Sequence, residues 1–137
     1  MLDHINETNT AGNNFGKLVL RLTLGVLMLF HGYAKLSGDL VWLENMLAGY
    51  NLPPQLAYGV YVGEILAPIM IILGAFCRFG GLIIVVNMGF ALFLAHQSEL
   101  MLLNETGGYA LEVQAFFLFT ALAMVFLGSG RYAVRPD

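Results

Sequence analysis

Glu64 stands inside a long apolar run, Leu56 to Phe76, with the nearest basic residues far off in sequence at Lys35 and Arg78. An ionisable side chain within a membrane span costs several kcal/mol unless it is paired, hydrated or close enough to an interface to snorkel, so each one is a candidate for function. At 1.5 Å per helical residue Glu64 lies roughly 12 Å inside its run, too deep for a short carboxylate to reach the headgroups. Asn87 falls at a similar depth in a later run, and His31 leans back along its own helix toward the same layer. These three residues form a candidate polar site, with Glu64 as its reactive member. Lys35, Tyr61, His96, Tyr109 and Glu112 are candidates to line its mouth. His31 and Lys35 are four residues apart, and Tyr61/Glu64 and Tyr109/Glu112 three apart, so each pair shares a helix face. The plainer reading ties Glu64 to Asn87 or a histidine to hold helices in register, and makes Arg21, Lys35 and Glu112 interfacial anchors.

These residue types permit some chemistries better than others. A bis-histidine haem needs two imidazoles at one depth, whereas His31 lies roughly 9 Å below the surface and His96 almost at it. Zinc would accept His31, His96, Glu64 and Glu112, yet no tight ligand spacing joins them, so no metal site is expected. A quinone, or another small apolar ligand with a carbonyl or two, asks for less: an apolar cleft, a few hydrogen-bonding groups and a carboxylate or histidine to move protons. The single cysteine, Cys77, excludes an internal disulfide and a Cys-x-x-Cys motif.

The elements that must position these residues follow from composition. Of 137 residues, 58% are apolar and 11% charged, against ~25% charged in an ordinary soluble domain. Four runs, about 16–36, 56–76, 80–96 and 109–127, are each long enough to cross a hydrocarbon layer as a helix, the third being the shortest. The expected fold is an all-α integral membrane protein, a four-transmembrane-helix bundle over 16–128, flanked by a polar tail at 1–15 and another at 129–137. Lys17, Arg21, Arg78, Arg131 and Arg135 fall on one side and only Lys35 on the other, which places both termini in the cytoplasm. The lack of a basic cluster argues against nucleic-acid binding. In the first outer loop Asp39 can cap a short amphipathic helix, Leu40 to Ala48, that Gly49 can end. Pro68 lacks an amide for the carbonyl of Glu64, so the second span should kink beside its carboxylate. Gly59, Gly63 and Ala67 form a small-residue face that lets another helix approach closely.

Collectively, several stretches resemble the DoxX family: His31-Gly32-Tyr33-Ala34-Lys35-Leu36, the Gly49 to Pro53 segment, Glu64 in the second run, Gly74 to Arg78, Met88, and Gly128-Ser129-Gly130-Arg131-Tyr132. The resemblance implies a four-helix inner-membrane protein of bacteria or archaea. Its members are often named as oxidoreductases, and relatives include membrane subunits of thiosulfate:quinone oxidoreductase and parts of redox-defence complexes. Two departures stand out: Ala67-Pro68 replaces the glycines that often follow the family's second-span glutamate, and Ser129 replaces a proline. The leading expectation is a quinone-associated subunit or accessory of a membrane redox complex, with Glu64 handling protons or ligand, in a homo-oligomer or with a partner. A small transporter or permeation pathway built on the polar cleft, and a membrane assembly factor, are the alternatives.

Overall fold

The computed structural model describes residues 2–95 and 97–137, with side chains described over 10–94 and 98–137. Its helices are α1 (Leu2–Ser37), α2 (Val41–Gly49), α3 (Pro54–Leu73), α4 (Cys77–Ala95) and α5 (Glu112–Leu127). Among the described residues only two isolated β-bridges form, and no strand. Within α1, α3 and α4 the segments Thr10–Ser37, Pro54–Leu73 and Cys77–Leu94 are long and apolar enough to cross a membrane, while α5 is equally apolar but shorter.

The four long helices close into a ring in which α1 packs on α3, α3 on α4, α4 most extensively on α5, and α5 back on α1. One apolar cluster fills the centre, with Leu24 and Met28 from α1, Ala67 and Ile71 from α3, Ile84 and Met88 from α4, and Phe117, Ala121 and Met124 from α5. A smaller cluster at the Lys35 end seats α2 through Leu40 and Leu47 against Ala57.

Several local expectations change. The polar residues from Leu2 onward are not a separate tail but the first turns of α1. The short helix of the ring is the fourth, not the third, because α4 starts at Cys77 and α5 only at Glu112. Leu40 rather than Asp39 is the cap residue of α2, although Asp39 Oδ1 accepts the Val41 amide at 3.3 Å. The chain turns after α2 at Asn51, whose φ is 60°, instead of at Gly49; an asparagine tolerates this left-handed conformation better than most residues.

The segment after α5 is not a loose tail either. Residues 129–137 fold back over the Arg21 end of the bundle. The Val134 and Arg135 amides donate to Leu73 and Gly74 carbonyls at 3.0 and 3.1 Å, and Arg135 lies 4.6 Å above the Phe76 ring. Arg21 is the centre of this closure. It is 1% exposed and its guanidinium donates to the carbonyls of Ile71, Ile72, Ser129 and Tyr132. The last carbonyls of α3 have no helical partner, and the planar fork of arginine can serve several acceptors at once. Arg78 does the same for α5, donating to Val125 and Phe126 carbonyls at 3.0 and 2.9 Å. Gly74 ends α3 with φ 74°, and a Cβ there would strike Ala133. Arg21 is thus a buried staple and not an interfacial anchor.

Candidate functional site

Glu64 sits in the middle of α3 where the helix widens. After a 3-10 opening over Pro54–Tyr58 and an α turn, residues Val62–Leu66 form a π turn, and α geometry resumes at Ala67. The Ala67 amide reaches back five residues to the Val62 carbonyl. The expected disturbance beside Pro68 is real, and it takes the form of this π turn. Proline offers no amide to the Glu64 carbonyl and crowds it. That carbonyl points at α1, where Gly32 makes room: a Cβ on Gly32 would collide with it. π turns interrupt α-helices rarely, and often at functional sites.

The side chain of Glu64 is nearly buried and paired. Lys35 Nζ donates to Glu64 Oε1 at 2.8 Å and to Oε2 at 2.6 Å, with the lysine side chain 25% exposed and the glutamate 4%. Lys35 is therefore the counter-ion of the deep carboxylate, from the helix that also supplies Gly32 three residues earlier. Spacing could have revealed the glycine: residues three apart share a helix face, so a helix carrying Lys35 toward α3 must also press position 32 against it.

Asn87 approaches the same place from α4. Its side chain rests on Gly63, where a Cβ would collide with it, and its buried Nδ2 has no hydrogen-bond partner. The small-residue face of α3 therefore meets a helix of the same chain through Gly63, whereas Gly59 meets nothing. Lys35, Glu64 and Asn87 line one wall of a groove of about 600 Å³ between α3 and α4. Its other lining is apolar, including Leu82, Val86, Phe90 and Leu94 along α4, Leu56 and Val60 from α3, and Trp42, Leu43 and Leu47 from α2. Trp42 reaches this site only through the docking of α2, which the linear order does not show.

The remaining candidates lie elsewhere. His31 is exposed and turns toward α5, edge-on to Phe117 with ring centroids 5.3 Å apart. Tyr61 belongs to the apolar cluster under α2 and stands beside Tyr58. Tyr109 and Glu112 line a separate shallow cleft with Leu20, Phe116 and Phe119, and the Tyr109 hydroxyl donates to the Leu100 carbonyl. His96 lies outside the described residues. The physical reason for the scatter is rotational: similar depth in a bundle says nothing about which way a side chain faces. Among the described residues no three His, Cys, Asp or Glu side chains are grouped to hold a metal ion. Cys77 is fully buried in the core.

The three residues make a small polar wall in an apolar groove, with a carboxylate, a cation that neutralises it and an unused amide donor. Such a wall offers hydrogen-bond donors and a carboxylate at the edge of an apolar space. The family model described as DoxX matches residues 16–97, a stretch that contains Lys35, Glu64 and Asn87. No curated protein and no solved structure matches the chain.

Proposed function

The chain belongs to the DoxX family, and on that premise we propose that this multi-pass membrane protein binds an uncharged amphiphile of the quinone class in the α3/α4 groove, as a subunit or accessory of a membrane oxidoreductase. The observation that carries the reading is the Lys35/Glu64 pair on the wall of an otherwise apolar groove. A charged headgroup would have to pull one member of that pair from the other where water is scarce, and removing one partner of a buried pair is strongly unfavourable. An uncharged head with carbonyl oxygens meets no such barrier. It can accept from Lys35 Nζ, and a turn of the Asn87 amide would offer it a second donor.

When bound, a quinone would accept two electrons and two protons to become the quinol. The electrons come from a redox partner. Glu64 is the group placed to give or take a proton at the groove wall, and Lys35 fixes the direction of its carboxylate. The apolar lining excludes water and accommodates a tail.

Mass spectrometry of the protein extracted gently from its native membrane tests this. The expected result is a bound quinone that is lost when Ala91, on the groove wall, is replaced by Phe. A protein that carries no quinone, or a Glu64→Gln variant that leaves quinone binding and complex activity unchanged, would overturn the proposal. Ion flux through reconstituted liposomes that vanishes in Glu64→Gln would replace it with a permeation pathway.

A further inference from the structure

The loop between α4 and α5 carries four consecutive apolar residues, Leu100, Met101, Leu102 and Leu103, which are 39%, 93%, 53% and 70% exposed. They lie on no helix, and Met101, Leu102 and Leu103 each leave more than half of their surface exposed. At 1.5 Å per residue the 19 residues of α4 rise ~28 Å and the 16 of α5 ~24 Å. Arg78, in the first turn of α4, holds the last carbonyls of α5, so the two helices are level at that end. The shortfall of α5 therefore appears at the other end, beside this loop. A hydrocarbon layer is roughly 30 Å thick, so the chain next to α5 must fill the missing depth with something that lipid tolerates.

The loop is built for that position. Irregular backbone is excluded from lipid when its amides and carbonyls are unpaired, and here a small hairpin pairs the Leu102 amide and the Leu100 and Leu102 carbonyls while closing the tip beyond them. Leu103 faces Tyr109 in an antiparallel bridge. The Ala110 amide donates to Leu102 at 3.1 Å, the Asn104 amide to Gly108 at 2.7 Å and the Leu102 amide to Glu99 at 3.0 Å. Asn104 Oδ1 accepts the amides of Thr106 and Gly108 and the Thr106 hydroxyl. The Tyr109 hydroxyl satisfies the Leu100 carbonyl. The polar tip with Glu105 and Thr106 lies beyond the apolar run, separating a greasy base from a wettable turn.

We infer that residues 100–103 are a membrane-inserted wedge, seated in the acyl chains just below the headgroups at the Lys35 end of the bundle and completing the depth that α5 lacks. Its partner is the lipid surface itself, recognised by apolar contact and not by headgroup charge. This inference depends on the membrane reading of the helices and not on what occupies the α3/α4 groove.

Single cysteines at 101, 103 and 106 in the full chain, reconstituted in phosphatidylcholine vesicles, test it. Cys77 stays in place, since a fully buried thiol escapes labelling. An environment-sensitive fluorophore at 101 or 103 should emit to the blue of the same label at 106. It should lose most of its intensity when the lipid carries bromine near the headgroup end of its acyl chains, whereas the label at 106 should keep its intensity. A membrane-impermeant maleimide should react many-fold faster at 106 than at 101 or 103. Equal labelling rates at the three positions, or no quenching at 101 and 103, would overturn the inference and leave this apolar run to a protein partner. The use of two wedge positions guards against one substitution that disturbs the hairpin.

Discussion

Lys35 on α1 grips both carboxylate oxygens of Glu64 on α3, and the backbone beneath that grip is equally intimate, because the Glu64 carbonyl presses on Gly32 one turn away along α1. One ion pair and one backbone contact thus join the same two helices at the same level. The pair is asymmetric, since the glutamate is almost wholly enclosed while the lysine keeps a quarter of its side chain exposed.

That asymmetry predicts unequal single substitutions. Lys35→Met strands a carboxylate with no route to water and should lower stability by about 3 kcal/mol, whereas Glu64→Gln leaves a lysine that can still snorkel and should cost less. The double variant should recover much of the loss. Thermal unfolding of the purified protein in detergent or nanodiscs checks the order; equal losses for the two single variants would contradict it.

Glycine contacts predict a graded series. Gly32→Ala places a methyl against the Glu64 carbonyl, and Gly63→Ala places one against Asn87. Overpacking of this kind costs typically 1–3 kcal/mol, so each variant should melt at a clearly lower temperature. Gly59→Ala meets nothing and should be neutral or slightly stabilising in the same assay, as alanine favours helix over glycine by about 1 kcal/mol.

Arg21→Lys should be as damaging as many core truncations, although it preserves the charge. A lysine ammonium cannot reach the four carbonyls of Ile71, Ile72, Ser129 and Tyr132 in the geometry of a guanidinium fork. Buried acceptors left without partners cost about 1–3 kcal/mol. Deleting 129–137 removes two of these acceptors and the Asp137 contacts with Arg78 and Ser129, so it should destabilise the bundle similarly. Unchanged melting of either variant would show that this end is closed by other forces.

Groove substitutions should separate binding from stability. Ala91→Phe fills the space beside Asn87 without touching the ion pair, so bound amphiphile should fall to background while thermal stability changes little. Lipid extraction and quantification from equal amounts of the two proteins measures it. Retention of the native ligand by the Phe variant would move the binding site elsewhere.

Charge distribution predicts orientation. Lys17, Arg21, Arg78, Arg131 and Arg135 share one end of the chain's helices, so reporter fusions at either terminus should report the cytoplasmic side. A periplasmic or exterior signal at residue 137 would refute this.

The membrane class and the rough positions of the long apolar helices were legible in the sequence because they depend on run length and hydropathy, which are one-dimensional quantities set by the thickness of a bilayer. The disturbance of α3 at Pro68 was legible too, since a missing amide acts on the carbonyl four residues before it. What the linear order could not reveal was azimuth. His31, Lys35, Tyr61 and Glu64 all lie toward one end of the bundle, yet only Lys35 turns to Glu64, while His31 turns toward α5 and Tyr61 packs under α2. Rotation of each helix about its axis is decided by packing, here by Gly32 and Gly63 admitting a carbonyl and an amide that any larger residue would exclude. The same holds for Arg21 and 129–137. A span-end arginine and a polar tail look ordinary in a sequence, and they became a closed end only when folding brought more than a hundred residues of separation down to hydrogen-bond distance.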